Sequence, residues 1–479
     1  MHRSGCAALV LLTLSCLGCN NLSKQEEARE AIGEVVATPQ SWREQAADDT
    51  APLDSWFEGF NDPLLLALIT EGKANNIDLQ VSAKTIEKAW LLAARSGSDL
   101  RPKLDVSVGR TQYGVNYDGF NRSFGSADGP QAGVGFDGGD KSFDFLDTGL
   151  SAQLELDVWG RIREGVQAAK MDVQVAQADY AFAQQSLSAS IAKTYLKIIE
   201  AKQQAEISKK NQAILKETLR ITLARYDNGL ATGQDIALNS AKLAAVEDHL
   251  LSLERAERDA GRALELLLGR YPGEPIGVAE SLPALPLPPA AGLPSELLER
   301  RPDIIAAERS VAAAFNRSAQ AKAAFLPRVL LSNTMMGGAD SISHLFDPSV
   351  FAWKLAGTLM TPILDGGQRK INRQMANVEQ EQAVLNYAQL ALDAFFEVEN
   401  KLYLGGVLYD RKAILGEVSD QSATAYKIAQ IRYKEGEIDL LDTLTLQREA
   451  ITAESKVLSI KRAQLDQQID LYLSLGGGW

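Results

Sequence analysis

The sequence predicts a mainly α-helical protein with amphipathic β-strands, built as two copies of one helix-strand-strand-helix-helix unit. Three observations carry that reading. Ala, Leu, Gln and Glu dominate the 479 residues while aromatics make up only 7%, a composition that favours long helices over a compact mixed core. Arg225, Tyr226, Gly229 and Asp235 recur 207 positions later as Arg432, Tyr433, Gly436 and Asp442. Finally, short runs of strict apolar–polar alternation interrupt the helical periodicity.

The duplication extends beyond that motif. The same 207-residue offset carries Leu266, Leu268 and Gly269 onto Leu473, Leu475 and Gly476, and Tyr180 onto Tyr387. Nearer the start of each copy the offset is 225, matching Asp78 to Asp303 and Pro102 to Pro327. The first copy therefore holds about eighteen extra residues between Pro102 and Tyr180.

In chain order, "MHRSGCAALVLLTLSCLGCNN" comes first, with Arg3 ahead of an apolar run from Ala7 to Leu14. This is the length and pattern of a signal peptide and too short for a membrane-spanning helix. Cys6, Cys16 and Cys19 all fall in this segment, so a chain beginning at Cys19 forms no internal disulfide. A plain secretory signal with incidental cysteines is the alternative to a lipid-anchored one. Residues 19–60 read as an extended segment, 61–270 as the first repeat, 271–294 as a connector and 295–479 as the second repeat. The stretch 271–304, which contains the connector, holds half of the chain's 16 prolines, and the connector is therefore expected to be extended and non-helical.

Each repeat opens with a helix (Leu64–Leu100, then Ser295–Phe325) that a proline stops at 102 or 327. Two strands follow: Lys103–Tyr117 and Leu146–Val158, then Arg328–Gly338 and Phe351–Ile363. A long helix comes next (Arg161–Tyr226, Gln368–Tyr433), spanning roughly 100 Å. Val166, Ala169, Val173, Ala176, Tyr180, Ala183 and Leu187 lie along it at 3-4 spacing, which demands partner helices along its length. After a Gly break, a last helix runs over Asp235–Leu268 or Asp439–Leu475.

The strands place apolar residues such as Leu150, Leu154, Trp353, Leu355 and Leu359 on one face and polar residues on the other, the pattern of lipid-facing barrel strands. Tyr113, Tyr117, Phe143, Phe145 and Trp159 form candidate aromatic girdles. A soluble half-buried hairpin is the bland alternative. Four strands do not close a barrel of ordinary size, and open sheet edges are forbidden in lipid. Strands that cross a membrane here require several copies of the chain to share one barrel.

Composition and motifs exclude other classes. A net charge of -13 argues against nucleic acid as a partner. The histidines, His2, His249 and His344, stand apart, and neither a phosphate-binding loop nor a nucleophile elbow is present. No enzyme activity, cofactor or metal site is expected. A periplasmic coiled-coil scaffold or adaptor anchored by Cys19 competes, but the duplication and the amphipathic strands count against it.

Several segments carry a family resemblance: "GLPSELLERRPDIIAAE", "WFEGFNDPLLLALITEGKANNIDLQ", "LDVWGRIR", "PILDGGQRK" and the terminal "LYLSLGGGW". Together they resemble the TolC-like outer membrane factors (outer membrane efflux proteins), over about Trp56 to Trp479. Leu17-Gly18-Cys19 resembles the lipobox of that family's lipoprotein subgroup, with Cys16 departing from the usual Leu; it implies Cys19 as the lipid anchor in the bacterial outer membrane. The resemblance implies a homotrimer with a 12-stranded membrane barrel joined to a long periplasmic α-helical barrel. It further implies docking to a periplasmic adaptor and a proton-driven inner-membrane transporter, for efflux of drugs, metals or other small molecules; type I protein secretion is the alternative. Residue by residue, Asp442 matches an inward acidic ring at the periplasmic gate and Tyr433 a tyrosine that holds the gate shut. The second acidic position is Thr445 here, with Asp439 as a substitute. Gly229, Leu230 and Thr232, with Gly436 at the second tip, match the segments that adaptor hairpins contact.

Overall fold

The computed structural model describes residues 20–44, 56–116, 140–273, 276–339, 347, 349 and 351–477, with side chains except at 20–25, 113–116, 140–145 and 339. Cys19 and Tyr117 lie outside the described residues, as do the side chains of Tyr113, Phe143 and Phe145. The elements are α1 (Asn20–Val35), a 3-10 turn (Trp56–Phe60), α2 (Pro63–Asn75), α3 (Ile77–Ser98), β1 (Lys103–Asn116), β2 (Asp140–Leu156), α4 (Arg161–Asp227) and α5 (Gly233–Leu267) in the first half. The second half follows with α6 (Pro294–Arg300), α7 (Pro302–Ala323), β3 (Arg328–Ala339), β4 (Phe351–Met360), α8 (Gln368–Glu435) and α9 (Leu440–Ser474). Among the described residues no helix is long and apolar enough to cross a membrane.

Two expectations are corrected. The segment 19–60 is not extended throughout: Asn20–Val35 is helical, because "SKQEEAREA" is a run of strong helix formers. The helix expected over Leu64–Leu100 is two helices, and so is its counterpart over Ser295–Phe325. The breaks fall at Asn76, with ψ 127, and Arg301, with ψ 121. These residues are repeat equivalents, 225 positions apart.

The breaks have a shared physical reason. Asn76 Nδ2 donates to the carbonyl of Leu267, the last residue of α5, while its Oδ1 accepts from the Leu79 N–H that opens α3. Arg301 donates to the carbonyl of Ser474, the last residue of α9, at 3.2 Å. At each repeat's end, one polar side chain satisfies a helix-terminal carbonyl that lacks an intrahelical partner. The chain passes so close there that a Cβ on Gly269 would meet the Asn75 carbonyl oxygen at 2.4 Å, and one on Gly476 the Arg301 backbone at 2.9 Å. Pro302 was the readable signal, since a residue before proline is pushed out of the helical region.

The strands form one antiparallel sheet in the order β1-β2-β3-β4, with β1 and β4 at its edges. The register sorts the faces. Val106 sits opposite Leu150, Leu150 opposite Met335, and Met335 opposite Trp353. Directly opposed residues share a face, so Leu104, Val106, Val108, Leu154, Leu331, Leu355 and Leu359 join that apolar surface. The other face carries Asp105, Ser107, Asp147, Ser151, Gln153, Ser332, Thr334 and Lys354 in the same register. On the apolar face Val106 is 72% exposed and Trp353 75%. Ile363 falls beyond the end of β4 and is fully in the open.

Compact units do not follow the repeats. Among the described residues, one unit gathers those within 20–89, 171–312 and 382–477 and the other those within 90–170 and 313–381, so each draws on both copies. In the sheet-bearing unit, the strand-to-helix joins are capped by aspartates. Asp157 accepts from the Ile162 and Arg163 N–H groups, and Asp365 from those of Gly367 and Arg369. In the helical unit, a core forms where Trp56, Leu65, Ile69, Ile191, Tyr195, Leu264, Leu268, Ile469 and Tyr472 meet. Trp56 stacks on Tyr472 with centroids 5.4 Å apart. Tyr195 fixes the connector: its hydroxyl donates to Asp62 at 2.6 Å and accepts from the Ala279 N–H.

Candidate functional site at the helical tips

Each Arg-Tyr-x-x-Gly ends a long helix in the same way. Gly229 has φ 74 and Gly436 φ 80, the left-handed conformation that glycine adopts without a Cβ penalty. The Gly229 N–H donates to the Tyr226 carbonyl and the Leu230 N–H to the Arg225 carbonyl. Gly436 and Glu437 repeat this on Tyr433 and Arg432. This pair of bonds is the Schellman motif, which satisfies the last carbonyls of a helix.

The following helices start on local caps. Thr232 accepts from the Asp235 N–H, and Asp235 accepts from the Thr232 N–H and hydroxyl, both at 2.8 Å, a reciprocal capping box. In the second copy Asp439 caps α9 by accepting from the Asp442 N–H at 2.8 Å. Asp439 is thus engaged as a helix cap through one carboxylate oxygen. Asp442 is exposed, and with Ile428, Arg432, Ile438 and Thr445 it lines a groove of about 330 Å³ between α8 and α9.

The two tips pack differently despite their common sequence. Tyr433 is 6% exposed, whereas its repeat equivalent Tyr226 is 49% exposed. Tyr433 is buried because α4 clasps it. The Arg225 guanidinium lies 4.9 Å over its ring and donates to its carbonyl oxygen at 2.9 Å. Thr222 Oγ1 comes within 3.4 Å of its hydroxyl. Leu215, Leu440 and Leu444 close the cluster. Thr222 and Arg225 are the residues sequence reasoning missed as partners; Arg225 stood in the repeated motif, while Thr222 carried no local signal.

At the first tip, Leu230 is 68% exposed, and Gly229 and Thr232 are exposed beside it. A leucine in this position usually folds back onto its helix, so its exposure sets it apart. Gly436 is exposed at the second tip, where Leu230 is replaced by Glu437. The structure thus brings Tyr433, Asp439, Asp442 and Gly436 together at one turn and Gly229, Leu230 and Thr232 at the other.

Long helices thus end in capped tips, and an amphipathic antiparallel sheet lies elsewhere in the same chain. Comparison with known proteins identifies the class of protein. The outer membrane efflux protein family matches residues 68–270 and 293–477, and the chain belongs to that family. The family is one of transport channels, not of enzymes. The pyoverdine export outer membrane protein OpmQ of Pseudomonas aeruginosa is 28% identical over 449 residues, covering 93% of this chain and 92% of its own length. The cation efflux system protein CusC of Escherichia coli is 26% identical over 477 residues, covering 98% of each chain. Among solved structures, the outer-membrane channel OprN superposes with a TM-score of 0.79 at 28% identity, covering 92% of this chain and 98% of that one.

Proposed function

We propose that this protein is the outer-membrane channel of a tripartite efflux system, three copies forming one conduit from periplasm to exterior. The observation that carries this is the four-stranded sheet with one apolar face and two edge strands. In lipid those edges must be paired, and twelve strands from three copies close them. The apolar face then contacts lipid and the polar face lines the lumen. In this reading the helices form a periplasmic tunnel, Cys19 carries lipid at the outer membrane, and a periplasmic adaptor and an inner-membrane transporter complete the system. The pyoverdine and cation export named for the relatives supports small molecules or ions as cargo.

The tips divide the work. Tyr433 and Asp442 form the gate, Asp442 from each copy contributing to an acidic ring that attracts cations. Asp439 supports it by starting α9. Gly229, Leu230, Thr232 and Gly436 present the surface an adaptor hairpin contacts. Planar bilayer recording on the purified assembly tests the proposal. Discrete channels are expected, and Asp442→Ala raises their conductance and weakens block by multivalent cations. A complete absence of conductance overturns the channel reading; unchanged conductance and block in the variant overturn the gate assignment.

A further inference from the structure

The α8–α9 groove beside Asp442 is the repeat equivalent of the surface that holds Tyr433. Shifting by 207 positions carries Thr218, Ile221, Thr222 and Arg225 onto Ala425, Ile428, Ala429 and Arg432. The first set packs around Tyr433 in α4; the second set lines the groove. Among the described residues Arg432 pairs with Glu437, and both side chains are more than half exposed. Tyr226, the equivalent of Tyr433, is half exposed on the same chain. One chain thus contains a filled aromatic clasp, an open clasp and an unused tyrosine.

We propose that Tyr226 of a second copy of this chain seats in the α8–α9 groove, under the Arg432 guanidinium, as Tyr433 seats under Arg225. This rests on the assembly proposed above and adds the residues that join its tips. Charge supports a second copy as the occupant. Inside the chain, the Arg220 guanidinium bonded to Glu217 holds its carboxyl below the usual range, with a smaller contribution from Lys434 beside Tyr433. In the open clasp the acid lies on the tyrosine's side: Asp227 stands beside Tyr226, while Thr424 replaces Glu217 and Lys427 keeps the positive charge of Arg220. Such a contact, in which each copy offers one tyrosine and one open clasp, is head-to-tail and forms a ring when its rotation closes. An uncovered apolar stripe continues up α8 from the groove, with Leu392 55% and Phe396 67% exposed.

Arg432 and Tyr226 then lock neighbouring tips, next to Asp442. Replacing Tyr226 with the photoreactive analogue p-benzoylphenylalanine in the full-length protein tests this. The same analogue at Tyr433 serves as an internal control and attaches within its own chain to the 218–225 stretch. Irradiation is expected to join two copies through Tyr226, with the attachment mapped by mass spectrometry between 425 and 446. Arg432→Ala lowers that yield roughly three- to tenfold, while Arg225→Ala does not. With the control positive, attachment of the Tyr226 probe within its own chain, to another protein or to nothing overturns the proposal. Failure to assemble or conduct sinks the channel reading itself; an assembled, conducting channel with crosslinks elsewhere sinks only this contact.

Discussion

Arg301 concentrates the polar organisation of the second repeat's end. It is 5% exposed and bonds Asp303 and Glu397 at 2.7 Å as well as the Ser474 carbonyl. Arg301→Ala leaves Asp303 and a helix-end carbonyl short of partners, a loss on the order of 3 kcal/mol, read as a lowered denaturant midpoint. Asp466 behaves in the opposite sense. Burial pushes its carboxyl up to about 6, against the opposing pull of Arg462 and Lys193. The folded chain therefore holds that proton more tightly than the unfolded one. The ionised carboxylate costs stability above about pH 6, and the cost fades as pH falls toward the ordinary carboxylate range. Asp466→Asn is expected to raise the melting temperature at about pH 8 and to lose that advantage near pH 4; an equal difference at both values contradicts the account.

The sheet makes a face-specific prediction among the elements. Val106 and Ser107 are neighbours on β1, one on the apolar face and one on the polar face. Val106→Lys places a charge toward lipid and costs about 2–4 kcal/mol near the membrane midplane, whereas Ser107→Lys is tolerated. Folding yield into vesicles measures both, and equal yields contradict the assignment of faces. The helix starts make a smaller one. Thr232→Ala removes the capping box of α5 and costs about 1 kcal/mol, seen as faster amide exchange over the first turn of α5. The sequence located these elements because each has a strong period: 2 in the strands and 3.6 in the long helices. It did not show that Asn76 and Arg301 break the first helices. Their reason lies in carbonyls 191 and 173 residues away, beyond any local pattern.

For the whole molecule, the exposed stripe on α8 is the informative surface. Leu385, Leu392, Phe396 and Tyr403 follow at heptad-compatible spacing and are all more than half exposed. Such a stripe needs a partner helix. Leu392→Glu with Phe396→Glu is expected to leave the monomer folded, by circular dichroism, while sedimentation in detergent shows the assembly lost. Persistence of the full-size assembly argues that this stripe is not an interface between copies.

The sequence by itself determined the duplication, the lengths of the long helices, the alternation of the strands and the two glycine turns. These follow from local periodicity and from backbone conformations that only certain residues adopt. The tertiary structure decided which of two identical motifs is buried. Arg-Tyr-x-x-Gly is written twice, yet only Tyr433 lies beneath an arginine of its own chain while Tyr226 stays in solvent. Identical local sequence encodes identical turns, but a side chain's burial depends on what another helix brings to it. In a single chain only one of the two tyrosines meets an arginine clasp.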